Sequence, residues 1–159
     1  MSTLYVDTIT EKTSGNGVQI PGHVVQVVTA DIGGAAVTTT SNTLVTSGKS
    51  ATITPKYANS IIIINVHLGD TATTNSHAGV GVALFRGSTN ISNLTGRHAY
   101  TEAGTASLAI NGLSPVWFDS PATTSATTYT IYINNGGAGT ATLFRDNTDG
   151  CIVLTEIAQ

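Results

Sequence analysis

His67, Asp70 and His77 stand together in the stretch VHLGDTATTNSHAG, and they are the one local group whose side chains match a metal site. Zinc is held by imidazole, thiolate and carboxylate at compact spacings, usually on a helix or a knuckle. The spacing here fits none of these, so no metal and no cofactor is expected; polar residues at a strand end account for the group. His23 and His98, the second beside Arg97 and Tyr100, are suited to hydrogen-bonding a sugar or a partner, or to ordinary surface positions.

Nucleophilic catalysis needs a positioned hydroxyl or thiol with a base, and no Gly-x-Ser-x-Gly elbow is present. Glycoside hydrolysis needs two acids across one cleft, and Asp70, Glu102, Asp119, Asp146 and Asp149 are too few and too scattered to nominate a pair. The expectation is a protein that is not an enzyme. Cys151 is the only cysteine; no intrachain disulfide can form, and its place in the run Cys151-Ile152-Val153-Leu154 reads as a small buried hydrophobe. Trp117, Tyr57, Tyr100, Tyr129 and Tyr132 could stack on sugar rings, with Trp117-Phe118 more simply filling a core or a subunit contact. Asn90-Ile91-Ser92 and Asn93-Leu94-Thr95 match the glycosylation acceptor pattern, as chance allows in a chain rich in Ser and Thr.

The elements that would position such residues are strands. Charged residues make up 9% of the 159 residues, against about 25% in typical soluble domains. Polarity comes instead from Ser, Asn, Gly and 28 threonines, whose β-branched side chains favour a pleated, half-buried surface. Six scattered basic residues and a net charge of -3 exclude a polyphosphate-binding footprint, so nucleic acid is not an expected partner. No run of 18 apolar residues and no basic-then-apolar N-terminus occurs, so neither membrane insertion nor secretion is expected.

Short apolar or alternating runs follow one another from Val24 onward. They are Val24–Val28, Thr43–Ile53, Ile61–Val66, Gly79–Phe85, Ala106–Ile110, Val116–Phe118, Thr127–Ile133, Thr140–Phe144 and Cys151–Ile157. Nine strands at this spacing indicate a sandwich, barrel or jelly roll with almost no helix. Val80, Val82 and Leu84 share one strand face, as do Tyr129, Ile131 and Ile133. Ile61–Ile64 does not alternate, which implies a strand covered on both faces. Asn134-Asn135-Gly136-Gly137 reads as a hairpin turn, and residues 70–78 and 87–105 read as long loops. Those loops make His77, Arg97, His98 and Tyr100 the candidate receptor-contact residues.

Residues 1–22 differ from the rest. Two apolar segments, Leu4–Ile9 and Val18–Val28, flank a turn-forming run, and neither is long enough to make a core. An unpaired extended segment must find partners for its amides and for Leu4, Val6, Ile9, Val18 and Ile20. The expected division is therefore an arm of residues 1–22 and a β domain of residues 23–159. Three arms wound together would bury these side chains, which makes a homotrimer economical; docking on another protein is the alternative.

The opening LYVDTITEKTSGNGVQIPGHVVQVV resembles the N-terminal segment of small tail-fibre-like virion proteins of marine bacteriophages. LVTSGKSATITPKYANSIIIINV, Leu44–Val66, and GCIVLTEIAQ, Gly150–Gln159, are similar to corresponding parts of those proteins. The resemblance implies an antiparallel jelly-roll-like sandwich on a short arm, trimeric, made in the bacterial host cytoplasm and located in the virion. It implies a short tail-fibre-like appendage or a capsid decoration protein, with other virion proteins as partners. Recognition of a host surface glycan through the loops is the alternative.

Overall fold

Alternation carries about half of the chain into strands, because Thr, Val and Ile fit a pleated surface better than a helix. The computed structural model describes residues 6–11, 15, 17–18, 20–94 and 98–159; Leu4 and Arg97 lie outside them. Among the described residues there are twelve strands. They are β1 Val24–Asp31, β2 Val37–Thr39, β3 Val45–Ile53, β4 Ile61–His67, β5 Asp70–Thr74, β6 Val80–Arg86, β7 Thr89–Leu94, β8 Ser107–Asn111, β9 Val116–Asp119, β10 Thr127–Asn135, β11 Ala141–Leu143 and β12 Cys151–Ile157. One 3₁₀ turn, Arg145–Asn147, is the only helical element described.

Two four-stranded sheets, ordered β1-β12-β4-β9 and β3-β10-β6-β7, form the sandwich, and every pairing is antiparallel. A third sheet, β2-β11-β5-β8, lies in the connections between them. Each of its strands sits in sequence between one strand of the first sheet and one of the second. The three sheets therefore repeat the same order, which is a jelly roll whose four crossings at one end are themselves hydrogen-bonded into a cap. The expected antiparallel, jelly-roll-like all-β sandwich is the observed fold.

The core lies between the two main sheets. Ile62, Ile64 and Val66 of β4 and Ile152 and Leu154 of β12 meet Tyr129, Ile131 and Ile133 of β10 and Val80, Val82 and Leu84 of β6. Each set follows a period of two, as the alternation requires. At Ile61–Ile64 that period is hidden by four identical residues: Ile62 and Ile64 are fully buried, whereas Ile61 and Ile63 face outward and are half-buried. The strand is covered by the core on one face only.

Three strands are absent from the sequence-based expectation: β2, β5 and β7. Residues 70–78 and 87–105 are not simply loops, since they contain β5 and β7. These strands read Val-Thr-Thr, Asp-Thr-Ala-Thr-Thr and Thr-Asn-Ile-Ser-Asn-Leu, with few apolar residues to reveal a period. In β5 the threonines take the place of aliphatic side chains: Thr71 and Thr73 are completely buried.

The Asn134–Gly137 stretch does not close a hairpin. β10 pairs with β3 and β6 while β11 pairs with β2 and β5, so the chain here crosses from the second sheet into the cap. The Asn135 side chain shapes the crossing by donating to the Gly137 and Gly139 carbonyls at 2.8 and 2.9 Å, and the Gly136 N–H donates to the Gly79 carbonyl. Gly137 is packed against the next loop, since a Cβ there would land on the carbonyl of His77 and stand 3.0 Å from the Ala78 Cα. Gly137→Ala is expected to lower the unfolding free energy by about 1–3 kcal/mol, the usual cost of overpacking, measured by urea unfolding.

Candidate functional site

The two outer faces of the sandwich are chemically unlike. On the second sheet the outward positions of β3 and β10 are Thr46, Ser50, Thr52, Thr128 and Thr130, with one aromatic stack, Phe85 on Tyr132, at a centroid separation of 3.8 Å. The outward face of the first sheet is apolar. One cross-strand row reads Val27, Thr155, Ile63, Phe118, and the next reads Thr29, Val153, Asn65, Val116. Neither row carries a charge.

Apart from exposed Asn65 and Cys151, the middle strands half-bury their outward side chains, and the exposed large apolar residues lie at the two edges. Val27 on β1 is 55% exposed and Phe118 on β9 is 69% exposed, with Val24 and Val116 close to half. Trp117, between Val116 and Phe118, points into the core. Alternation thus splits the Trp117-Phe118 pair, one ring filling the sandwich and the other standing in solvent. Cys151 also faces outward and is exposed, contrary to expectation, because Ile152 and Leu154 take the inward positions of β12.

Both edges are held from inside by a carboxylate. On β9, Asp119 turns inward and accepts two bonds from Arg86 Nη1 at 2.8 and 2.9 Å and one from the Tyr129 hydroxyl at 2.7 Å. Arg86 and Tyr129 belong to the second sheet, so this carboxylate ties the two sheets together. Burial, and next the bond to Asp119, push the Tyr129 phenol well above its ordinary range, while Arg86 opposes the shift.

Near β1 the corresponding group is Glu156, which is fully buried. Its Oε2 accepts from Gln26 Nε2 at 2.6 Å, its Oε1 from Ser60 Oγ at 2.7 Å, and the backbone N–H groups of Lys56 and Tyr57 also donate to it. Burial pulls its pKa upward, and these hydrogen bonds outweigh that pull, holding the carboxyl below its usual range. The loop it anchors carries Tyr57, whose hydroxyl donates to the Gly17 carbonyl.

Gly17 is thereby attached to the β domain, and Glu11 folds back to accept from the N–H groups of Gly15 and Gly17. Further along the segment, Val6 and Ile9 are 52% and 58% exposed, Ile20 is exposed and Val18 is half-buried. Ile20 leads directly into the β1 edge.

The residues of the His67 group do not converge. His67 bonds Ser114 Oγ at 2.9 Å through Nδ1. Asp70 is buried and accepts from Arg145 Nε at 2.7 Å, which raises the Arg145 pKa. His67 and Asp70 both line a cavity of about 440 Å³ with Asn111, Thr148 and Asp149, whereas His77 stands beyond the far end of β5. Among the described residues no three His, Cys, Asp or Glu are arranged to hold a metal.

Two of the candidate receptor-contact residues do meet: His77 is exposed, with Nδ1 3.2 Å from the Tyr100 hydroxyl. His98 is half-buried, with its Nε2 enclosed. Val27 and Val116 were the residues that sequence reasoning missed as a surface, whereas Phe118 was offered, together with Trp117, for a core or a subunit contact. The available signal was the apolar residue on both parities of Val116-Trp117-Phe118, where a strand with one wet face would alternate.

No protein-family model and no curated protein matches the chain. Solved structures do match. The VP2 subviral particle of infectious bursal disease virus is 12% identical with a TM-score of 0.41, covering 84% of this chain and 38% of that one. A structure of the Gt strain of the same virus is 11% identical with a TM-score of 0.42, covering 96% of this chain and 43% of that one. The chain spans about two fifths of the length of those viral chains. Likeness of this size assigns no role.

Proposed function

We propose that this chain is a non-enzymatic structural protein on the surface of a bacteriophage particle, a short tail-fibre-like appendage or a capsid decoration protein, working as a homotrimer. One observation carries the proposal: a sheet face whose only outward acid is Asp31 at the end of β1, apolar at its exposed edges, and continuous with an apolar N-terminal segment that has no core of its own. Apolar surface contributes about 25 cal/mol per Å² when it leaves water, and a face free of ions avoids the cost of desolvating them. The resemblance of the opening, middle and closing segments to phage virion proteins supports the location, and the jelly roll is a recurrent shell architecture.

Residues 1–22 are the anchor in this scheme. Replacing both Val6 and Ile9 by Asp is expected to abolish particle association while the β domain keeps its unfolding midpoint, since neither side chain reaches the core. The test is to mix purified wild-type and variant protein with particles lacking it and image where each binds. Regular density over the head lattice means decoration, and density at one vertex or on the tail means an appendage. No bound density for the wild type would sink the proposal.

A second role, recognition of a host surface glycan, is favoured by the exposed His77 and its contact with Tyr100 on adjoining loops of the cap. It predicts that the free protein binds host cells and that Tyr100→Ala removes that binding; a protein that ignores cells excludes it.

A further inference from the structure

β1 and β9 are the outermost strands of the first sheet among the described residues, and we infer that they bind each other head to tail, the β1 edge of one copy against the β9 edge of the next. The inference rests on the self-association proposed above and names its contact surface.

Among the described residues no further strand pairs with either edge, and each carries exposed apolar side chains, Val27 on one and Phe118 and Val116 on the other. Exposed edges are ordinarily blunted by charge. Here the outward side chains of β1 remain uncharged until Asp31, and the acid of β9, Asp119, is turned inward onto Arg86 and Tyr129. The second sheet lacks this character on β3 and β10, whose outward positions are mostly hydroxyls.

A second copy is the occupant the surface itself specifies. One chain carries both halves of the contact in one sheet, so joining the edges extends the same apolar rows from subunit to subunit. Contact between two different surfaces of one chain is heterologous, and it closes into a ring when the rotation allows. Ile20, just before β1, adds to the same edge and brings the N-terminal segments of neighbouring copies to the subunit junctions.

The experiment uses two single variants of the full chain, Val27→Asp and Phe118→Asp, by analytical ultracentrifugation. Both positions are exposed, so the fold is expected to persist; if either variant unfolds, Val27→Thr and Phe118→Ser replace them. The wild type is expected to sediment as a closed oligomer and each variant alone as a monomer. Mixed in equal amounts, the variants are expected to form a one-to-one dimer and nothing larger, because one retains a good β9 edge and the other a good β1 edge.

Several outcomes overturn the inference: oligomers unchanged by Val27→Asp, monomers that persist in the mixture, or a wild type that is monomeric. A monomeric wild type that still binds the particle would discard the ring and leave the structural role standing.

Discussion

Glu156→Leu is expected to lower the unfolding free energy by about 3 kcal/mol, the scale of leaving more than one buried donor without a partner. The carboxylate is fully buried and accepts from Gln26, Ser60, Lys56 and Tyr57, so no single neighbour can take its place. For a chain of this size such a loss moves the midpoint by about 6–12 °C, readable by circular dichroism. The damage should be local first: the loop bearing Tyr57 loosens, and with it the bond to Gly17. Proteolysis near residues 17–22 is therefore expected to accelerate before the β domain unfolds.

The same group has a pH signature of definite sign. Its folded pKa lies below the ordinary value of 4.5, so above that value the carboxylate contributes its full stabilisation. As pH falls through the folded pKa, the folded state must take up a proton that the unfolded state already holds, and the contribution is lost. Wild-type stability should drop on acidification below about pH 4.5 more steeply than that of Glu156→Gln, which has no proton to bind there. Equal slopes for the two proteins would refute the assignment.

Asp119→Ala is expected to cost about 3–5 kcal/mol, because it strands a partly buried guanidinium and a buried phenol at once. Its partners come from the opposite sheet, so the loss also lets β9 part from the sandwich. Tyr129→Phe removes one hydrogen bond and should cost about 1 kcal/mol. In a double-mutant cycle the two changes should be strongly non-additive, since after Asp119→Ala the phenol has already lost its acceptor. Additive effects would mean that the Tyr129 hydroxyl is satisfied elsewhere. Phe118, one residue away, should behave in the opposite manner, affecting association and leaving stability nearly unchanged.

These two carboxylates were not legible as anchors beforehand. Asp119 entered only as one of several scattered acids, and Glu156 sits in a run of apolar residues where an inward carboxylate is not expected. Each owes its position to strand parity, which turns Asp119 inward beside outward Phe118 and sets Glu156 in line with Ile152 and Leu154. Most of their donors lie far off in the chain: Arg86 is 33 residues from Asp119, and Gln26 is 130 from Glu156. No local pattern brings such groups together.

From the sequence alone, threonine content, alternation and closely spaced turns determined an all-β chain, and the inward sets of β6 and β10 followed from their period. Those properties are local, set by which side chains fit a pleated backbone. What lies beyond each face of a strand was decided only by tertiary structure. Parity separates Trp117 from Phe118 and Cys151 from Ile152, but it does not say which side has a neighbour. That depends on the order β1-β12-β4-β9, which places β1 and β9 at the rims and leaves an apolar face uncovered. Strand order is a matter of pairing between distant segments, and the energy that selects it comes from the whole core at once.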